Sequence, residues 1–403
     1  RTFMILVCKI RPLFPGFRVM KTTIKTTTKF TLGVSLSIFM AGYAQSQSGG
    51  LRADYPELAS LYNAFDVTQA GIYDAIAEIG ADPASEDGRM ELKMHLDMMA
   101  DMDHGGHGGH GGGGMMMDMD GHFGQLETDA RIALGELVRG NHSEAQAEAA
   151  FGGSSALTQN AARVLAKGRS FERVVWDIFS DDSTSIYQKQ MAINEAVQEY
   201  QSNEPRAAVS LSPKTADLYL GHIYADAFRM GYPKLSGLLY SNQWLQLASL
   251  EAIIIGQVDP QFGGRVPLTM ERYWNKVGSD TGMTMFPAPT EMPSAPAISP
   301  QLYSQAPQAA IIIDNLNMLE SALADVIAYP NLQDRESVID QVVAQYTSDD
   351  MYLAETMEYL LNALRGGIFN QGGPAIGDLS RSERNRSRDA MGMNHTMIMS
   401  SPN

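Results

Sequence analysis

From Ile312 to Pro330 the chain reads IIDNLNMLESALADVIAYP. Ile312, Leu316, Leu319, Leu323 and Val326 step by 4, 3, 4 and 3 residues, and Pro330 closes the run. Apolar residues at that spacing fall on one face of an α-helix and form a stripe that has to be buried. Leu353, Met357, Leu360 and Leu364 repeat the step as far as Gly366-Gly367, and Val338, Ile339, Val342, Val343 and Tyr346 mark a helix between them. Three such helices on short links predict an antiparallel bundle.

The same period runs upstream. Leu58, Leu61, Phe65, Ile72, Ile76 and Ile79 predict a helix over 56–80, and further helices fit 123–138, 154–167, 170–179 and 184–201. Pro213 suits the first turn of a helix reaching Met230, and SNQWLQLASLEAIIIG (241–256) reads as a largely buried one. No run alternates at period two for long enough to suggest a sheet, and no strict internal repeat is apparent. The expected fold is all-α, a multi-helix bundle.

Two stretches interrupt it. One is the Met/His/Gly-rich segment that ends at His122, which reads as a disordered loop. The other, MTMFPAPTEMPSAPAISP (283–300), holds five prolines and reads as a stiff, extended connector.

The N-terminus points outside the cytoplasm. Lys21, Lys25 and Lys29 form a basic start after Met20, an apolar run spans Phe30 to Ala41, and Gly42-Tyr43-Ala44 suits a cleavage site. That is the layout of a secretory signal peptide, with an apolar run too short to cross a bilayer. Residues 1–19 read as upstream sequence, 20–44 as the signal peptide and 45–282 as an N-terminal helical region with a metal-binding insert over 90–122. The connector covers 283–306, a C-terminal helical segment 307–368, and a flexible Met-containing tail 369–403. The expected location is periplasmic or secreted.

Cleavage at that site removes the single cysteine, Cys8, and with it any disulfide, thiolate ligand or cysteine nucleophile. It also removes seven basic residues and no acid, so the net charge moves from −16 to −23. Such a chain repels nucleic acid and anionic membranes and gathers cations. No later segment is long and apolar enough to span a membrane.

Met94 to His122 reads MHLDMMADMDHGGHGGHGGGGMMMDMDGH and holds 8 of the 25 methionines and 5 of the 8 histidines. Met90, Met94, Met98 and Met102 sit four apart and form one helical stripe, with His95 and Met99 beside it. His104, His107 and His110 follow, spaced by paired glycines that let the backbone fold round a ligand. Met115, Met116, Met117, Met119 and His122 complete the set. Thioether sulphur suits Cu(I), whereas imidazole with carboxylate suits Cu(II), Ni(II) and Zn(II). Copper in either oxidation state is therefore the expected metal, with nickel and zinc as further candidates. The tail adds Met391, Met393, His395, Met397 and Met399.

DMDHGGHGGHGGGGMMMDMDGH resembles the Met/His/Asp/Gly-rich segments of bacterial periplasmic copper-resistance and copper-handling proteins. The resemblance covers about 30 residues and is one of composition, without fixed spacing. It implies Met98, Met99, Met102, His104, His107, His110, Met115, Met116, Met117, Met119 and His122 as ligands, and an exported metal-handling protein as a partner. Such segments usually sit on β domains, and the helical body departs from that pattern. The bland alternative is that the methionines are helix-core filler and the glycine tract a linker.

Elsewhere, His222 and Asp226 lie four apart in DLYLGHIYADAFRMG and predict a pair on one helix face, a candidate metal or general-base site. A helical interaction protein or enzyme built on that pair is the second reading. There is no phosphate-binding Gly-rich loop, His-Glu-x-x-His, haem-attachment motif or nucleophile elbow, and no Glu-x-x-His pair of a dimetal bundle.

Overall fold

Tyr55 and Tyr232 stand at equivalent places in the molecule, and each is followed by a proline that starts a long helix. The structure, a computed structural model, describes residues 50–103, 121–220, 222–277 and 292–371. Among the described residues the regular elements are all helical, beside one isolated bridge between Lys214 and Leu353. The stretch that reads as a signal peptide, the glycine tract, residues 283–291 of the proline-rich connector and the tail beyond Gln371 lie outside them.

A first set of helices comprises α1 (Leu51–Asp54), α2 (Pro56–Ala81), α3 (Glu86–Asp103), α4 (Gly124–Arg139), α5 (Glu144–Gly153), α6 (Gln159–Ser180) and α7 (Ile186–Ser202). The short α8 (Asp217–Leu220) follows. A second set comprises α9 (Ala227–Gly231), α10 (Pro233–Val258), α11 (Arg265–Val277), α12 (Ala295–Ile298), α13 (Pro300–Gln305), α14 (Pro307–Ala328), α15 (Arg335–Thr347) and α16 (Thr356–Gln371).

The two sets correspond. α2 and α10 are both 26 residues long, and α6 and α14 both 22. Laid over each other without gaps, α2 and α10 match Tyr55 to Tyr232, Pro56 to Pro233, Leu58 to Leu235, Leu61 to Leu238 and Gln69 to Gln246. They also match Ala75 to Ala252, Ile76 to Ile253, and the Asp82-Pro83 that ends α2 to Asp259-Pro260. Tyr55 (φ −135°, ψ 60°) and Tyr232 (φ −131°, ψ 62°) share one conformation. The ring of the next residue bars an ordinary helical turn there, so the short helix stops and the proline opens the long one. A single turn of 3₁₀-helix follows each long helix, at Pro83–Ser85 and Pro260–Phe262. In α6 and α14 the matched Asp177 and Asp325 play one role. Asp177 Oδ1 accepts from the Leu51 amide at the start of α1 (3.3 Å), and Asp325 Oδ1 from the Phe228 amide in α9 (2.9 Å).

The long helices interlace. α2 and α6 of the first half each pack on both α10 and α14 of the second. At the α6–α14 crossing the matched residues are Gly168 and Leu316, and a Cβ on Gly168 would lie 2.6 Å from a Leu316 methyl. The glycine is the hole that its counterpart fills. Around it lie apolar side chains (Phe65, Ile72, Ile76, Val164, Leu165, Leu238, Leu245, Leu319, Leu323), and among them a set of matched polar residues. Asp66 matches Gln243, Gln69 matches Gln246, Arg169 matches Asn317 and Glu172 matches Glu320, and all eight are at most 1% exposed. Arg169 bonds Glu320 through Nε (3.0 Å) and Nη2 (2.5 Å) and also meets Glu172, tying the halves together. Burial works against the Arg169 charge, but Glu320 and Glu172 outweigh it and hold its pKa above the ordinary value.

Three expectations change. The helices expected over 154–167 and 170–179 are one continuous helix, α6, which starts only at Gln159. The helix expected over 213–230 is broken between α8 and α9 by a turn in which Asp226 takes a left-handed φ of 67°. The late three-helix bundle is not formed: α15 packs on α14, but α16 packs chiefly on α12, and α14 spends its stripe on α2 and α6. Helices on both sides of the proline-rich stretch thus share one core.

Candidate metal centre

The face of α3 that enters the core is made by Leu92 (0% exposed) and Leu96 (8%). Leu92 reaches the bare backbone of Gly231, where a Cβ would lie 2.7 Å from its methyl. Met90 (56%), Met94 (53%), Met98 (37%) and Met99 (40%) turn outward. Exposing four thioethers on one helix forgoes the burial that apolar side chains ordinarily gain, about 1.5–3 kcal/mol each. These methionines are not core filler. Met102 lies farther along the same helix.

His95 leaves α3 between the two faces and meets His122, which lies beyond the loop. His95 Nδ1 is 3.3 Å from His122 Nε2, with ring centroids 5.0 Å apart. His122 Nδ1 lies 3.5 Å from Glu91 Oε2, one turn back along α3. A carboxylate on one nitrogen of an imidazole fixes the ring, the usual support of a metal-bound histidine. Two nitrogens each about 2.0–2.1 Å from a tetrahedral ion lie about 3.3–3.4 Å apart. The spacing of the two rings is that of one edge of such a site.

Local structure holds this geometry. A Cβ on Gly88 would stand 2.3 Å from the His122 carbonyl, so only glycine lets the returning chain cross α3 there. Gly121 (φ 60°) and Gly124 (φ 48°) make the left-handed turns on either side. Phe123, next to His122, is buried and stacks on Tyr232 at 4.4 Å. Beneath the turn, Glu127 Oε1 accepts the amides of Lys234 (2.6 Å) and Leu235 (2.9 Å) in the first turn of α10. Burial pushes Glu127 up to about 8 despite those bonds.

Of the expected ligands, the structure therefore brings His95 and His122 together beside the Met94, Met98 and Met99 stripe. His104, His107, His110, Met115, Met116, Met117 and Met119 lie outside the described residues, as do Met391, Met393, His395, Met397 and Met399. Among the described residues no group of three or more His, Cys, Asp or Glu converges on a point. Further ligands for the pair would have to include thioethers or residues of the tract.

The expected His222–Asp226 pairing is not made, because the helix that was to align them is broken. His222 Nδ1 accepts the Tyr224 amide (3.2 Å), and Nε2 faces Asp325 at 3.7 Å. Asp226 turns to Arg229 (2.8 Å). Burial raises the Asp325 pKa, with His222 pulling the other way. Both His222 nitrogens point into the protein, and Asp325 also holds the α9 amide, which makes this a pair that fastens α9 to α14.

Sequence reasoning missed Glu91 and Gly88. Glu91 lies four residues before His95, a spacing that puts both on one face, but it says nothing of His122 without the fold. Comparison with known protein families, with characterised proteins and with solved structures finds no match. No helix among the described residues is long and apolar enough to cross a membrane.

Proposed function

We propose that this is an exported metal-binding protein that handles copper, for sequestration, delivery or tolerance, through α3 and the tract that follows it. The observation that carries the reading is the division of α3, whose leucines enter the core while its methionines face solvent beside a paired His95 and His122. Thioethers capture Cu(I), and the imidazole pair, oriented by Glu91, captures Cu(II) or another borderline divalent ion such as nickel or zinc. The glycine-spaced histidines between α3 and His122 supply further weak ligands. The duplicated helical body serves as scaffold and as the surface an exported metal-handling partner would meet. The signal peptide and the acidic surface accord with a chain that meets copper outside the cytoplasm.

Titration of the mature chain with Cu(I) and with Cu(II), against competing chelators, tests this. Replacing Met90, Met94, Met98 and Met99 by leucine should weaken Cu(I) binding at least tenfold and leave Cu(II) binding within twofold. Replacing His95 and His122 by alanine should do the reverse. A mature chain that takes up neither ion near neutral pH overturns the proposal.

A further inference from the structure

The matched polar residues at the junction of the two halves satisfy one another only in part. Gln243 Nε2 is fixed as a donor by two acceptors, the Asn317 carbonyl (3.1 Å) and Glu320 Oε2 (3.0 Å), which leaves its Oε1 a free acceptor. Asn317 Oδ1 accepts from Arg169 (3.3 Å), which leaves Nδ2 a free donor. Asp66 meets Arg173 through Oδ2, and its Oδ1 has no partner. Both amide atoms of Gln69 and of its counterpart Gln246 are unpartnered. Gln243 and Asn317 meet at Glu320 and Arg169, and Asp66 and Gln69 lie at the positions of α2 matched to Gln243 and Gln246 of α10, the helix on which α2 packs.

Buried polar atoms left bare cost enough, in this number, to consume much of a domain's stability. Asp66 matches Gln243 and Gln69 matches Gln246, so bare atoms recur at equivalent positions of both halves and are a property of the repeated pattern, not of one stray residue. The free set also restricts what can fill it. A bare cation would serve the oxygens but not the Asn317 and glutamine N–H groups. An anion would serve the donors and be repelled by Asp66. Only a guest that donates and accepts answers both.

We infer that the junction of the two halves encloses a polar site, occupied by a small uncharged guest that both donates and accepts hydrogen bonds. Ordered water has that chemistry, and so does a small hydroxyl- or amide-bearing molecule. Buried waters ordinarily make about three such bonds each, and the atoms named here supply them.

A crystal structure of the mature chain, at a resolution that shows ordered water, tests the inference together with its native mass. Density bridging Asp66 Oδ1, Gln243 Oε1 and Asn317 Nδ2 is the expected result. A mass equal to that of the chain then assigns water, and a mass excess released on denaturation assigns a co-purified small molecule. A dry junction, with the Gln69 and Gln246 amides turned onto protein partners, overturns it.

Discussion

The hairpins α2–α3 and α10–α11 share one plan and differ in what the second helix presents. Both open on Tyr-Pro, run 26 residues and turn at Asp-Pro. Their second helices bury the same positions, Leu92 and Leu96 in α3, Thr269 and Tyr273 in α11. Outward, α3 carries Met90, Met94, His95 and Met98 where α11 carries Pro267, Glu271, Arg272 and Asn275. Gly88, which admits the His122 backbone, corresponds to Arg265. The scaffold is doubled and the ligand set is not. Packing alone therefore does not require the methionines, since the same hairpin closes without them.

The largest effect that would sharpen this comparison lies in the core. Arg169→Ala strands Glu172 and Glu320 in the interior and should cost about 3–5 kcal/mol of stability in urea unfolding. The matched Asn317→Ala removes a neutral group and should cost about 1 kcal/mol. Equal costs would mean that the two halves contribute alike and that Arg169 is not the tie between them.

Next in size is the site itself. Gly88→Val pushes the His122 backbone off α3 and should weaken Cu(II) binding about tenfold, or about 1.4 kcal/mol, while Cu(I) binding by the methionine stripe persists. Arg272→Ala, at the position matched to His95, should leave both affinities unchanged. A loss of copper binding in the α11 variant would break the asymmetry.

A smaller effect concerns pH. Burial lifts Asp66 to about 6, Asp314 to about 7 and Glu127 to about 8, so both halves carry carboxyl groups that hold protons the unfolded chain releases. Their contribution is complete below about pH 4, where the unfolded groups are also protonated, and is lost as pH climbs through those three values. The melting temperature should fall by a few degrees between pH 5 and pH 8.5, and Glu127→Gln should flatten the upper part of that slope. A melting temperature that rises across the window contradicts the assignment.

Much of the helical body was legible from periodicity, because the stripes written in leucine, isoleucine and valine along α2, α14 and α15 are buried, although α14 is buried on nearly every side. The duplication was not. Only a few residues of α2 and α10 agree, the segments between the long helices differ in length, and the match lies mainly in which positions are buried. Residues 213–230 misled because Asp226 takes up a left-handed conformation that no spacing rule announces. The polar core was also hidden, since Gln69, Arg169 and Glu320 look like ordinary surface residues until both halves are packed. At the site, composition pointed to α3 and His122 but not to Glu91 or Gly88. Their roles depend on a chain that leaves α3 and returns across it.

X-ray absorption at the copper edge of the Cu(I)-loaded mature chain tests the central claim most directly. More than one sulphur neighbour, lost when the four exposed α3 methionines become leucine, is the predicted result. A copper environment of nitrogen and oxygen alone, unchanged by those substitutions, would contradict it.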